Sequence, residues 1–105
     1  MMKKTTLGLL AVLAAATASA GEFEVAQKNK AFSIDKLTIK VGDTVRFPNQ
    51  DPVHHNVFSL SEAKTFDLGS YGKGKSKSIV FDQPGTIEVE CAIHPSMMMT
   101  IEVTE

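Results

Sequence analysis

Cys91, His94 and Met97 bring a thiolate, an imidazole and a thioether together in the run Cys-Ala-Ile-His-Pro-Ser-Met, each separated from the next by two residues. The three donors differ in softness. A thiolate suits Cu(I), an imidazole suits either oxidation state of copper, and a thioether binds weakly and at long range. Such a set serves a mononuclear copper site that passes single electrons. It needs a second imidazole, and the only other histidines in the chain are the adjacent His54 and His55.

Those donors must be positioned by strands. Leu37, Ile39 and Val41 alternate with Lys36, Thr38 and Lys40, a period of two with a polar face. Gly42-Asp43 marks a turn, after which Val45 and Phe47 bracket Arg46. Val57 continues an apolar row beyond His55, and Phe58 and Leu60 extend it. Ile79 and Phe81 lead into the turn signal Asp82-Gln83-Pro84-Gly85. Ile87, Val89 and Cys91 then share one face while Glu88 and Glu90 share the other, and Ile101 and Val103 alternate with Thr100, Glu102 and Thr104. Short strands separated by turns predict an all-β antiparallel sandwich or barrel. No stretch beyond the N-terminal segment has a sustained helical period, and Ser61 to Lys64 is expected to form one turn at most.

Strand parity sorts the ligands. Cys91 continues the inward row of Ile87 and Val89, so its sulfur is expected between the sheets. His55 shares a face with Val57 and is the expected ligand; His54 points the other way, to the surface or behind the ligand. Met97 has the spacing of a weak axial donor, Met99 shares parity with Ile101 and reads as core, and Met98 reads as surface. A cluster of methionines also fits a soft docking surface for Cu(I) delivery.

The chain's first twenty residues are expected to be a leader. Lys3 and Lys4 form a basic start, Leu7 to Ala16 is an apolar run, and Ala18-Ser19-Ala20 is a small-residue cleavage site before Gly21. The run is short for a membrane span, so an uncleaved anchor is the weaker reading. This predicts a signal peptide over 1–20, a single small domain over 21–105, and export to the periplasm. Without Lys3 and Lys4 the domain carries nine basic and twelve acidic side chains, a net charge of −3. That balance does not point to nucleic acid, and no apolar tract remains to enter a membrane. Exported proteins normally pair their cysteines, and Cys91 is the only one. A lone thiol is buried, pairs between molecules or ligates a metal; His94 three residues later favours ligation.

Over essentially the whole chain after the leader, and most densely in two segments, the sequence resembles the blue copper proteins of the cupredoxin family, the plastocyanin, amicyanin and pseudoazurin group. One is Val41-Gly42-Asp43-Thr44-Val45-Arg46-Phe47 with Asn49, Asp51 and His55-Asn56-Val57; the other is Pro84-Gly85-Thr86 followed by Cys91, His94-Pro95 and Met97. The two-residue gaps are similar to the short ligand loop of amicyanin. The resemblance implies a Greek-key β-sandwich and one copper ion bound by His55, Cys91 and His94, with Met97 axial. It further implies a monomeric electron carrier, not an enzyme, serving transient redox partners such as a periplasmic dehydrogenase and a cytochrome. Two positions depart from the family pattern. No aromatic residue precedes the cysteine, and Ala92 stands where a hydroxyl residue is common, so a bond from Asn56 to the cysteine loop would rest on backbone groups.

Other readings compete. A periplasmic copper chaperone or resistance protein would use similar soft ligands. A hydrolase using Cys91 and His94 lacks any sign of an oxyanion hole. A structural zinc domain does not call for so regular a thioether spacing, and a multicopper oxidase needs more than three histidines. Lys73, Lys75 and Lys77 form either a solvated surface or a docking patch for an acidic partner. Pro52, Pro95 and Met98 are expected to ring His94, the route of the electron.

Overall fold

The structure, a computed structural model, describes residues 20–105, so the predicted leader lies, Ala20 apart, outside the described residues. Alternation of apolar and polar residues with a period of two is realised as strands. These are β1 (Glu22–Glu24), β2 (Gln27–Lys28), β3 (Ala31–Phe32), β4 (Lys36–Lys40), β5 (Thr44–Pro48), β6 (His55–Ser59), β7 (Phe66–Tyr71), β8 (Ser76–Val80), β9 (Gly85–Cys91) and β10 (Met98–Thr104). One sheet has the order β1-β5-β8 and the other β4-β10-β9-β6-β7, with β2 and β3 forming a small hairpin. The chain passes from the larger sheet to the smaller at β4–β5 and again at β7–β8, and returns each time. The two sheets form a sandwich. Among the described residues no helix is long and apolar enough to cross a membrane.

The sandwich is not wholly antiparallel, as the turn-rich sequence suggested. β1 runs parallel to β5, and β4 parallel to β10. Tight turns enforce antiparallel neighbours only between strands they join directly. β4 and β10 are joined through the whole intervening chain, so nothing local dictates their direction.

Ile87 and Val89 of β9, Ile101 of β10, and Val45 and Phe47 of β5 are fully buried, with Phe81 just after β8. Each buried side chain of this size contributes about 1.5–3 kcal/mol by leaving water. Across β9, Glu88 is exposed and Glu90 half-buried, the polar row the alternation predicts. Two expected core positions are not core. Val41 is exposed in the β4–β5 turn, and Leu60 is 75% exposed. On β6 the inward row is His55, Val57 and Ser59, and Phe58 is only half-buried. The β6–β7 register shifts between Asn56 and Phe58, and β6 ends at Ser59, so Leu60 has left the sheet.

β9 ends and β10 begins at one end of the sandwich. At the other, Val41 N–H donates to Thr104 O and Gly42 N–H to Phe81 O. The segment from Cys91 to Met97 therefore lies at the end remote from the β4–β5 turn.

Candidate metal centre

His55 opens β6 and Cys91 closes β9, and these strands are direct neighbours, with Val57 opposite Cys91. Their side chains are buried, at 0% and 2% exposed. The strands thus fix two donors before any loop is considered. The third, His94, comes from the loop after β9 and is half-buried. That loop is closed by its own backbone: Met97 N–H donates to His94 O at 2.9 Å and Cys91 N–H to Met97 O at 3.2 Å.

The donor atoms converge. His55 Nδ1 and His94 Nδ1 are 3.1 Å apart, and Cys91 Sγ lies 3.7 Å from the first and 3.8 Å from the second. A point about 2.1 Å from all three corners of that triangle matches the length of a bond from a first-row metal ion to imidazole nitrogen, slightly under that to thiolate sulfur. Two imidazoles and one thiolate fit copper by both distance and softness. Among the described residues this is the cluster of three that could hold a metal ion.

Groups behind the ligands set their orientation. Asp51 Oδ2 lies 2.7 Å from His55 Nε2, and the same carboxylate accepts from Asn29 N–H and Lys30 N–H at 2.8 Å each. With its proton on Nε2 and directed at Asp51, His55 leaves the Nδ1 lone pair free to face Cys91 and His94. Burial pushes the Asp51 carboxyl up, but the two amides and the ring outweigh it, and the group sits below the usual carboxylate range. Asn49, 1% exposed, holds the loop that carries Asp51: its Oδ1 accepts from Asp51 N–H and its Nδ2 donates to Val53 O and Tyr71 O. Tyr71, opposite His55 on β7, donates its hydroxyl to Phe47 O at 2.6 Å and accepts from Gln27 Nε2 at 3.0 Å. Its burial, together with the nearby Cys91, pushes the phenol up to about 12, so it stays protonated.

Asn56 ties the two ligand segments through its backbone. Its N–H lies 3.4 Å from Cys91 Sγ, and its carbonyl accepts from Ala92 N–H at 3.0 Å. Its side chain turns outward to donate to Asp67 Oδ1 at 2.7 Å. The missing hydroxyl at Ala92 is thus bypassed by main-chain groups.

Copper-binding proteins of the plastocyanin/azurin family supply a family model that matches residues 19–104. The chain belongs to that family. Copper is therefore its cofactor, and His55, Cys91, His94 and Met97 are positioned for one ion. The cupredoxin is 29% identical over 106 residues to the methylamine utilization protein MauL of Methylorubrum extorquens, covering 98% of this chain and 93% of that one. It is similar in structure to a purple cupredoxin from Nitrosopumilus maritimus (TM-score 0.69, 25% identity, 77% of this chain and 98% of the other). It is similar also to a reduced variant of amicyanin (TM-score 0.73, 27% identity, 85% and 88%).

The remaining candidates divide by exposure. Met97 and Met99 are 1% and 2% exposed, whereas Met98 is 47% exposed. His54 is exposed and rests against Gly72, where an added Cβ would come within 2.8 Å of its Cε1. Ile93, 48% exposed, joins Pro95 and Met98 as apolar surface on the ligand loop, and Pro52 is exposed before His55. Lys77 is held by Leu68 O at 2.8 Å and lies over the Tyr71 ring, which leaves Lys73 and Lys75 as the solvated charges of that cluster. The reading of sequence missed the contact from Asp51 to His55; the signal available was an acidic residue four positions before the ligand.

Proposed function

We propose that the mature cupredoxin is an exported electron carrier, with His55, Cys91 and His94 as the equatorial copper ligands and Met97 as the axial one. The observation that carries this reading is the convergence of two imidazole nitrogens and one cysteine sulfur from two separate segments, all within 4.8 Å of one another. Bound copper supplies a one-electron couple. The protein's part is to hold the donors still: β6 and β9 set His55 and Cys91, and the backbone bonds of the ligand loop set His94 and Met97. Two imidazoles, a thiolate and a weak distant thioether form an arrangement that both oxidation states tolerate. The half-exposed ring of His94 is the proposed path between the site and a partner, with Ile93, Pro95, Met98 and Pro52 as the apolar surround. A small patch of this kind suits brief redox encounters.

Export to the periplasm with cleavage before Gly21 completes the proposal. A dehydrogenase is the proposed class of electron donor, a reading supported by the name of the MauL relative, which refers to methylamine utilization. Delivery of Cu(I) as a chaperone is disfavoured because two of the three clustered methionines are buried, leaving Met98 alone at the surface. Loading the purified protein with Cu(II) tests the function directly. An intense visible thiolate-to-copper band, absent in Cys91→Ser, is expected. A colourless protein that retains only Cu(I) would reject the carrier.

A further inference from the structure

At the end of the sandwich remote from the ligand loop, Asp43 is a buried carboxylate, 7% exposed. Its Oδ2 accepts from Lys40 N–H at 2.8 Å and its Oδ1 from Gly21 N at 2.6 Å. Among the described residues, ion pairs join Arg46 to Glu24, Lys64 to Asp82 and His55 to Asp51; no cationic side chain pairs with Asp43. Buried charges are normally paired, because leaving water without a counter-charge is costly. The donor that reaches the Asp43 carboxylate from outside its own turn is the nitrogen of Gly21, the residue immediately after the small-residue cleavage sequence.

Gly21 is seated on both sides. Its carbonyl accepts from Thr44 N–H at 3.0 Å, and the following strand β1 pairs in parallel with β5 from Thr44 onward. A Cβ at position 21 would lie 3.2 Å from Phe23 Cε1 and 3.4 Å from Asp43 Oδ1, so glycine lets the nitrogen come close.

We propose that Asp43 is the receptor for the α-ammonium group of Gly21, created when the leader is removed. The inference rests on the cleavage stated under the proposed function. A leader peptidase adds water across the Ala20–Gly21 amide. The C–N bond breaks, Ala20 departs as a carboxylate, and the Gly21 nitrogen takes a proton to become an ammonium. An amide donor to the Asp43 carboxylate thereby becomes a cationic one, and the hydrogen bond gains the attraction of an ion pair, with both partners charged. The ion pair closes the β1–β5 edge after processing, so that export and final stabilisation are linked without involving the copper ligands.

Four proteins test this: the chain beginning at Gly21, the chain retaining Ala18–Ala20, and Asp43→Asn in each. Their thermal midpoints are measured at neutral pH, together with labelling of the α-amine by an amine-reactive reagent in native and unfolded protein. The Gly21 form is expected to melt about 5 °C above the extended form, and the gap should collapse in Asp43→Asn. Native labelling should be at least tenfold slower than in the unfolded chain. Equal midpoints, or a gap that survives Asp43→Asn, overturn the ion pair. If Asp43→Asn does not fold, the labelling decides, since a fully reactive native amine rejects the proposal. The mass of the exported protein separately tests the cleavage: a terminus other than Gly21 overturns the link to processing, whatever the in vitro comparison shows.

Discussion

Asp51 lies 2.7 Å from the outer nitrogen of His55 while also capping two amides at the β2–β3 turn. One carboxylate therefore joins a hairpin far upstream to a metal ligand. Asn29 and Lys30, whose amides it receives, both have φ of 55°, a conformation that non-glycine residues hold only with help.

Removing that carboxylate should loosen the ligand and strand two amides. Asp51→Ala is expected to lower copper affinity about 10–100-fold, the usual effect of losing the partner of a ligand imidazole. It should also cost about 1–3 kcal/mol for the orphaned donors. Asp51→Asn, which keeps one acceptor oxygen, should fall between the two proteins. Chelator competition and chemical denaturation of the same samples measure both effects.

The three consecutive methionines should separate by function. Met97→Leu is expected to raise the reduction potential while keeping the visible band, since the weak sulfur donor stabilises the oxidised ion. Met98→Leu should leave both unchanged. Met99→Ala should keep the band yet lose about 2–5 kcal/mol of stability through a core cavity. Voltammetry and absorbance on the three variants check the order. A potential shift in Met98→Leu instead would reassign the axial ligand.

Asn56 offers a contrast to Asp51, because its ties to Cys91 Sγ and Ala92 use the main chain. Asn56→Ala should preserve the visible spectrum and cost only the outward bond to Asp67, about 0.5–1.5 kcal/mol. A bleached site would show that the side chain has a direct part.

Acid should weaken the fold through Asp43. The amides of Lys40 and Gly21 hold its carboxyl below the usual carboxylate range. A folded pKa below the unfolded one contributes stability that is fully present above the unfolded value, about 3.9. That contribution disappears as pH falls through the folded value. Metal-free wild-type protein should therefore show a steeper loss of melting temperature below about pH 4 than Asp43→Asn.

What could be read from the chain in advance was whatever repeats with a solvent face. In β9, Ile87, Val89 and Cys91 alternate with Glu88 and Glu90, and the inward placement of the sulfur followed from that count. His55 was separable from His54 for the same reason. The short strands β1, β2 and β3 carry no such period, being two or three residues long. Their places depend on Asp51 and on pairing with β5, contacts between distant residues. Leu60 was misplaced because the register shift in β6 and the end of the strand interrupt the alternation. Asp51 went unassigned as the partner of His55 because the contact depends on how Asn49 shapes the intervening loop.

The hydrogen bonds from Met97 to His94 and from Cys91 to Met97 shut the ligand loop across its own mouth. Just outside, Met98 sits opposite Glu90 and the β9–β10 ladder carries on undisturbed. The segment is in effect a detachable cassette. Insertions or deletions within it would leave the scaffold standing, so one sandwich of strands can be refitted to different electrochemical settings by exchanging a handful of residues.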